Sequence, residues 1–218
     1  VLEQLAELIF PDVTETVADL EKRYPERDLP EEAIVARFAP SPTGFLHTGS
    51  LFTSLIGYRF AKQTGGVFYF RLEDTDTKRE VKGSDIDLLN QLAAFGVVFD
   101  EGFCGEGNPE KGNYGPYIQS ERKDIYHAFI KHLIEEGKAY PCFLTQEEMD
   151  SIRESQTKDK KRIGIYGRYA KYRNLTPEEA ATRIKNGESY IIRFKSNGNH
   201  ENKIKIHQKP LQTKYDKP

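Results

Sequence analysis

One stretch of this sequence combines a loop that could bind a phosphate with the residues that start a helix. Arg37-Phe-Ala-Pro-Ser-Pro-Thr-Gly44 is followed, after two intervening residues, by His47-Thr-Gly-Ser50. A loop that leaves a strand and enters a helix presents free N–H groups and the positive end of the helix dipole. Glycine at positions 44 and 49 lets the backbone approach a ligand closely, and His47 can donate to a phosphate oxygen. The stretch therefore predicts an anion site.

Two common nucleotide-binding motifs are missing from the loop. It has neither the Walker A pattern nor the spacing Gly-x-Gly-x-x-Gly, so kinase-like and dinucleotide-binding interpretations lose their main signals. Single residues also have plainer interpretations. Arg37 alone is more typical of a surface ion pair. Glu73, beside Asp74 and Asp76, could equally mark the solvated end of a strand.

The elements around the loop predict a βαβ unit. Ile34–Phe38 is a short apolar strand, and Val67–Leu72 is a second, nearly continuous apolar run typical of a sheet buried on both faces. Between them a helix ends at Gly65-Gly66 and should turn four residues toward the core: Leu51, Leu55, Ile56 and Phe60. Parallel strands joined in this way take a right-handed crossover.

Further elements follow from periodicity and capping patterns. A helix from Ser84 to Phe95 should bury Ile86, Leu89 and Phe95, and residues 100–119 have the composition of a loop. Another helix carries Ile125, Phe129 and Leu133 and ends at Gly137, and Thr145 and Thr176 each begin a capping box. Tyr190–Phe194 and Lys203–Ile206 are predicted strands, and residues 1–33 a helical extension with Val13, Val17, Leu20 and Tyr24 at helical spacing.

These elements suggest four segments. They are a helical extension at 1–33, a Rossmann-like nucleotide- and amino-acid-binding region at 34–139, an inserted α+β subdomain at 140–207 and a tail at 208–218. The boundary near Tyr140 is placed where the pattern of apolar residues changes.

Composition indicates a folded polar protein without a strong charge. The 218 residues carry 32 basic and 34 acidic side chains, and Lys158–Arg162 is the one basic cluster, so bulk charge gives no support for nucleic-acid binding. No apolar run approaches the roughly 18 residues of a membrane span, and nothing at the start resembles a signal peptide. Cys104 and Cys142 lie far apart, which fits a reducing cytoplasm.

The motifs together resemble the glutamyl-tRNA synthetase family of class I aminoacyl-tRNA synthetases. Arg37–Gly44 followed by His47-x-Gly49 matches its first signature, with Ser50 where the usual His-Ile-Gly-His has its last histidine. Arg71–Asp76 and Gly115–Arg122 resemble two further family segments, and the likeness runs from about residue 34 to 194. The resemblance implies an α/β fold: a Rossmann-like parallel sheet, here an incomplete class I catalytic core, with an inserted α+β subdomain.

The family also implies roles for residues at the matching positions. Arg37 would pair with a carboxylate of L-glutamate, Glu73 would hold the substrate ammonium, and Ala39 and Ser41 would line the amino-acid site. His47 and Gly49 would be the catalytic contacts to ATP, within an ATP-binding set of Thr43, Gly44, His47, Gly49 and Ser50. The substrates implied are L-glutamate, ATP with Mg²⁺ on its phosphates, and tRNA(Glu), and the enzyme would be a monomer.

Some family features are missing from the sequence. Lys-Met-Ser-Lys-Ser, the second ATP signature, does not occur, and neither does an anticodon-binding region. We therefore expect a truncated part of the enzyme that is inactive alone. Some relatives hold structural zinc through a Cys-x-Cys pair and a later cysteine. Here Cys142 is followed by Phe143 and Leu144, and Tyr169 stands near the later position, so no zinc is expected.

Four alternatives remain. Glutamyl-queuosine tRNA(Asp) synthetase shares the first motifs, although it usually carries the zinc cysteines and lacks an extension like residues 1–33. Glutaminyl-tRNA synthetases tend toward other residues at Ser41-Pro-Thr and Glu73–Asp76. A binding module that catalyses nothing would keep the same fold. A nucleotidylyltransferase such as pantothenate synthetase shares a His-x-Gly-His loop but does not explain Arg37–Gly44.

Overall fold

A computed structural model describes residues 1–198 and divides the chain into two compact units. One unit contains residues 9–132, and the other contains residues 1–8 together with the chain from 133 onward. The predicted strand Lys203–Ile206 and the predicted tail at 208–218 lie outside the described residues. In the part that is described, no helix is both long enough and apolar enough to cross a membrane.

The described chain contains seven α-helices and five strands. The helices are α1 (Leu2–Ile9), α2 (Val17–Arg23), α3 (Thr48–Gln63), α4 (Ser84–Ala94), α5 (Lys123–Glu135), α6 (Gln146–Lys158) and α7 (Pro177–Lys185). The strands are β1 (Val35–Phe38), β2 (Val67–Phe70), β3 (Glu101–Gly102), β4 (Ala139–Cys142) and β5 (Ile191–Phe194).

The unit at 9–132 is built on a three-stranded parallel sheet. The strand order is β1-β2-β3, with β2 in the centre, Phe38 beside Phe70 and Tyr69 beside Glu101. Helix α3 connects β1 to β2 and packs on both. Phe68 and Phe70 are fully buried in the main core because β2 is covered on both faces. The predicted α/β class with a parallel sheet is confirmed.

The predicted core faces of two helices are partly wrong. On α3, Leu51 and Leu55 pack against the core, but Ile56 and Phe60 are exposed and the fully buried positions are Ser54 and Ala61. On α4 the buried apolar residues are Leu88 and Leu92, and the predicted core residue Leu89 packs against the core, while the other two, Ile86 and Phe95, are exposed. The apolar side chains on these helices are spread too widely around the axis to define one face.

The prediction of loop throughout 100–119 is wrong. Glu101 and Gly102 form β3, and Ile118 makes a further parallel bridge to Leu72. Gly102 has a φ of +133°, and a Cβ built on it would lie 2.3 Å from the carbonyl oxygen of Phe70. Only glycine fits this approach, so the composition that suggested a loop is here a requirement of the strand.

The second unit contains a two-stranded antiparallel sheet and two capped helices. β4 pairs with β5, and Tyr140 lies opposite Arg193. The capping boxes at Thr145 and Thr176 both form and begin α6 and α7, which confirms those predictions. β4 was not predicted, although all four of its residues are buried and belong to the apolar run Ala139–Leu144.

Candidate active site

The predicted glutamate-binding residues lie at the carboxyl ends of two adjacent parallel strands. The ladder between β1 and β2 continues past both strands, because Arg71 N donates to Phe38 O at 3.0 Å and Glu73 N donates to Pro40 O at 2.9 Å. Side chains alternate along such a ladder. Positions 37, 39 and 41 therefore face the same way as positions 69, 71 and 73. In parallel α/β sheets ligands bind at this edge.

Arg37 and Glu73 differ in how they are held. Arg37 is exposed, and among residues 1–198 its guanidinium has no hydrogen-bond or ion-pair partner. Glu73 is half-buried, and its Oε1 accepts from Arg71 Nη2 at 2.7 Å. Ala39 and Ser41, the other two predicted residues, are also half-buried. Among the described residues, the face thus offers a cation without a partner and a fixed carboxylate, which is what a zwitterionic ligand requires.

Arg71 joins the candidate site to a neighbouring cavity. Its side chain is 15% exposed, and its Nε is buried with no hydrogen-bond partner in the described chain. The cavity has a volume of about 290 Å³ and is lined by Leu20, Glu21, Tyr24, Arg27, Tyr69, Arg71, Tyr114, Tyr117, Arg122, Ile125 and Phe129. The four residues predicted to bind glutamate do not line it.

The loop after β1 is held by few contacts. Thr43 N donates to Ser41 O at 2.8 Å, and Val81 N donates to Pro42 O at 2.8 Å. Thr43 is exposed, and Gly44 has a φ of +138°, a conformation that other residues adopt only with strain. The loop leads directly to the first turn of α3, as the sequence predicts.

His47 caps α3 and points its ring at Ser50. Its Nδ1 accepts from Ser50 N at 3.2 Å, and its Nε2 lies 2.9 Å from Ser50 Oγ. Because Nδ1 accepts, the proton is on Nε2, the atom that faces the hydroxyl. A phosphate oxygen that accepted a hydrogen bond from this N–H group would have to displace the hydroxyl of Ser50. A Cβ on Gly49 would lie 3.1 Å from the His47 ring, so glycine leaves room for the ring to fold back.

Sequence reasoning missed the connection between the second and third motifs. Asp74 Oδ1 accepts from Ser120 N at 2.9 Å and Oδ2 accepts from Ser120 Oγ at 2.5 Å. Leu72 N donates to Tyr117 O and Gln119 N donates to Leu72 O, both at 2.9 Å. The segment 117–120 therefore runs beside the end of β2 and holds the residues on either side of Glu73. The sequence did not distinguish an Asp74 that binds Ser120 from an acidic residue at a solvated strand end, because Glu73, Asp74 and Asp76 suit both.

A buried polar group lies next to this segment. Tyr117 is 1% exposed; its hydroxyl donates to Glu101 Oε2 at 2.7 Å and accepts from Tyr114 N at 3.1 Å. Burial and then the hydrogen bond to Glu101 raise the pKa of Tyr117 far above its usual value. Burial alone would lower the pKa of Arg27, but its hydrogen bond and charge interaction with Glu101 raise it overall. At every physiological pH, Tyr117 therefore stays a neutral phenol and Arg27 stays a guanidinium cation.

Neither cysteine is part of a metal-binding cluster in the described chain. Cys104 is exposed, whereas Cys142 is buried with Tyr140 and Leu144. Within residues 1–198, no three histidine, cysteine or acidic side chains come together as metal ligands would.

Comparisons with known proteins agree on one family. The family model described as tRNA synthetases class I (E and Q), catalytic domain, matches residues 33–208. A glutamate–tRNA ligase of Clostridium perfringens strain 13 is 55% identical over 205 residues, which are 94% of this chain and 37% of the relative. One from Acetivibrio thermocellus is 46% identical over 93% of this chain and 37% of its own length.

A solved structure supports the same family. The glutamate tRNA ligase of Elizabethkingia meningosepticum, in complex with its amino acid, is 39% identical and superposes with a TM-score of 0.63. The match covers 76% of this chain and 32% of that protein. The chain thus spans a little over a third of the length of the curated relatives it matches. By the family model and by these relatives, the chain belongs to the catalytic-domain family of the class I tRNA synthetases for E and Q.

Proposed function

We propose that this chain supplies the first part of the glutamate and ATP site of a glutamate–tRNA ligase. The proposal rests on one observation, the common face of Arg37 and Glu73 at the ends of β1 and β2, next to the loop that begins α3. The relatives named above support the same substrate class.

Each side of the proposed pocket suits one part of glutamate. The guanidinium of Arg37, which has no partner among residues 1–198, can bind a carboxylate with two parallel hydrogen bonds. Glu73 keeps Oε1 on Arg71, and its Oε2 accepts no hydrogen bond from residues 1–198, which leaves that oxygen for the substrate ammonium. Ala39 and Ser41 follow Arg37 along the same face, and Ser41 lies beside Glu73 in register.

The reaction proposed is formation of an adenylate followed by transfer to tRNA. A carboxylate oxygen of glutamate forms a bond to the α-phosphorus of ATP, and the bond from that phosphorus to pyrophosphate breaks. The terminal ribose hydroxyl of tRNA(Glu) then attacks the acyl carbon, loses its proton and releases AMP. No protein nucleophile is required, so the protein acts by positioning the reactants and stabilising phosphoryl charge.

The start of α3 is the proposed phosphate end of the site. The first N–H groups of a 16-residue helix lack partners within the helix, and its dipole favours an anion there. Thr43 and Gly44 lead the chain to this point. His47 is the N-cap of α3, and Gly49 and Ser50 lie in its first turn. Mg²⁺ would accompany the ATP phosphates and neutralise part of their charge.

A basic cavity in the other unit supports contact with tRNA. It measures about 1030 Å³, and its described lining includes Arg162, Arg173 and Arg193 but no acidic residue. Arginines grouped without carboxylates suit phosphate groups of a nucleic acid.

We assign the protein to the cytoplasm, where both free cysteines would stay reduced, and expect a monomer without zinc.

Calorimetry with the 218-residue protein tests the proposed amino-acid site. L-glutamate should bind, and Arg37→Gln and Glu73→Gln should each weaken binding about tenfold or more, because each removes one charge partner, a loss of at least about 1.4 kcal/mol. Arg59→Gln is the matched control for Arg37→Gln, since this exposed arginine lies on α3 and its loss changes the net charge by the same amount. Equal affinity in all four proteins would overturn the assignment.

Two further measurements separate the alternatives. Charging assays with tRNA(Glu) and tRNA(Asp) should show little or no product from the 218-residue protein, and normal charging rates would contradict the expected inactivity. Titration with ATP, together with the glutamate titration above, decides between a partly formed site and an inert module: the former binds at least one of the two ligands, and the latter binds neither.

A further inference from the structure

Arg27 lies outside the residues that the family model matches but contacts two residues inside that range. That model begins at residue 33, and Arg27 follows α2 in the preceding extension. Its Nη2 donates to Glu101 Oε2 at 2.6 Å and its Nε to Glu101 Oε1 at 3.4 Å. Its guanidinium carbon also lies 3.5 Å from the centre of the Tyr114 ring. The side chain is only 20% exposed, so the contact is an internal one.

The residue that Arg27 holds is connected to the end of β2. Glu101 Oε2 also accepts the hydroxyl hydrogen of Tyr117. The carbonyl of Tyr117 accepts from Leu72 N, and Leu72 directly precedes Glu73. Three successive contacts thus lead from Arg27 through Glu101 and Tyr117 to the backbone beside the proposed ammonium-binding carboxylate.

The extension is fixed at several points around Arg27. Tyr114 Oη donates to Pro25 O at 2.9 Å, and Leu20 of α2 is buried with Ile125 and Ala128 of α5. Leu20, Tyr24 and Arg27 line the 290 Å³ cavity together with Arg71, which holds Glu73. The extension therefore contributes to the cavity that Arg71 also lines.

We propose that Arg27 is a positioning residue that keeps Glu73 in place through Glu101 and Tyr117. Glu101 has a side chain only 14% exposed, and without Arg27 this buried carboxylate would keep the phenol of Tyr117 as its main partner. A buried charge that loses its counter-ion moves toward water or takes up a proton. Either change disturbs Tyr117 and, with it, the hydrogen bond to Leu72. The inference rests on the proposed role of Glu73 in binding glutamate.

The test compares Arg27→Gln with Arg23→Gln in the 218-residue protein. Arg23 lies in the same extension, and its ion pair with Glu15 is exposed, so this variant controls for the loss of one positive charge. Amide hydrogen exchange is measured at Leu72 and Gln119, the two ladder amides, and at Ser54 and Ala61 in α3 as reference positions. Arg27→Gln should lower protection at Leu72 and Gln119 about tenfold relative to α3, and Arg23→Gln should change neither.

A substitution that only destabilised the fold would lower protection in α3 to the same extent, and that result would overturn the proposal. Arg27→Lys keeps the charge but loses the planar guanidinium and its two hydrogen bonds to Glu101. The amide exchange rates of Leu72 and Gln119 in this variant should therefore lie between those of the wild type and Arg27→Gln. Calorimetry then links the effect to function: Arg27→Gln should bind L-glutamate about tenfold more weakly. If the wild type binds no glutamate, the proposed function fails, whereas the exchange data still decide whether Arg27 holds the end of β2.

Discussion

The end of β2 and the start of α3 are the two halves of the proposed site, and they are held in different ways. The strand-end region consists of residues 71–76 with 117–120, and the hydrogen bonds between these two segments join residues more than 40 positions apart, such as Asp74 and Ser120. The helix-start region consists of residues 41–50, and most of its bonds join residues two to four positions apart, such as His47 and Ser50.

This difference teaches that the two halves respond to different changes. The strand-end region depends on the whole sheet, because Leu72 and Asp74 keep their places only while β3 and the segment 117–120 stay beside β2. The helix-start region depends on its own sequence, because an N-cap side chain accepts a hydrogen bond from a backbone N–H in the first turn of the helix that it begins. Substitutions far along the chain should therefore move Glu73, whereas only nearby substitutions should move the phosphate end.

The largest effect is expected at Gly102, which brings β3 against β2. In Gly102→Ala the new Cβ would meet the Phe70 carbonyl oxygen at 2.3 Å and nitrogen at 2.7 Å, at a φ that alanine disfavours. The left-handed conformation and the overpacking together should lower the free energy of unfolding by about 3 kcal/mol or more. Urea unfolding followed by far-UV circular dichroism measures this, because the sequence has no tryptophan for fluorescence.

Gly107→Ala is the matched control for this substitution. Gly107 also has a positive φ, +79°, but a Cβ there would have no neighbour within 4 Å. Only the conformational cost of about 1 kcal/mol should remain. If the two variants lost equal stability, close packing of β3 on β2 would not be what fixes the strand-end region.

The same contrast explains what the sequence predicted and what it did not. The helix starts at Thr145 and Thr176 were predictable because capping signals lie within a few residues of what they stabilise. β3 was missed because two residues carry no periodicity and because it pairs with β2, whose partner residues lie 32 positions earlier, as Tyr69 does from Glu101. The positions of Arg37 and Glu73 followed from family motifs rather than from periodicity. The partnership of Asp74 with Ser120 could not be read from either stretch alone.

A pH-dependent effect of intermediate size is expected at Asp100, which joins α3 to the sheet. Its carboxylate accepts from Phe68 N at 2.9 Å and from Lys62 Nζ at 2.5 Å. Burial would raise the pKa of Asp100, but the hydrogen bonds from Lys62 and Phe68 outweigh it and lower the pKa. Stabilisation is therefore present above the unfolded-state pKa of about 3.9 and is lost as the pH falls through the lower folded-state value.

Urea unfolding of the wild type and Asp100→Asn at pH 7, 4 and 3 measures this loss. The variant should be less stable by about 1 kcal/mol at pH 7, and the difference should shrink toward pH 3 as the wild-type carboxyl takes up its proton. Lys62→Gln should show a weaker pH dependence than the wild type because the cation that lowers the pKa is gone. A difference between wild type and Asp100→Asn that stayed constant over this range would show that charge plays no part in the contact.

The smallest effect is expected at His47, where the helix-start region depends on one side chain. His47→Ala removes the acceptor for Ser50 N and should cost about 0.5–1 kcal/mol, whereas His47→Asn should recover most of this because asparagine is a good N-cap. Amide exchange should quicken at Ser50 and Leu51 in His47→Ala and stay unchanged at Leu72. This is the reverse of the pattern expected for Arg27→Gln, and faster exchange at Leu72 would mean that the two halves of the site are coupled rather than held separately.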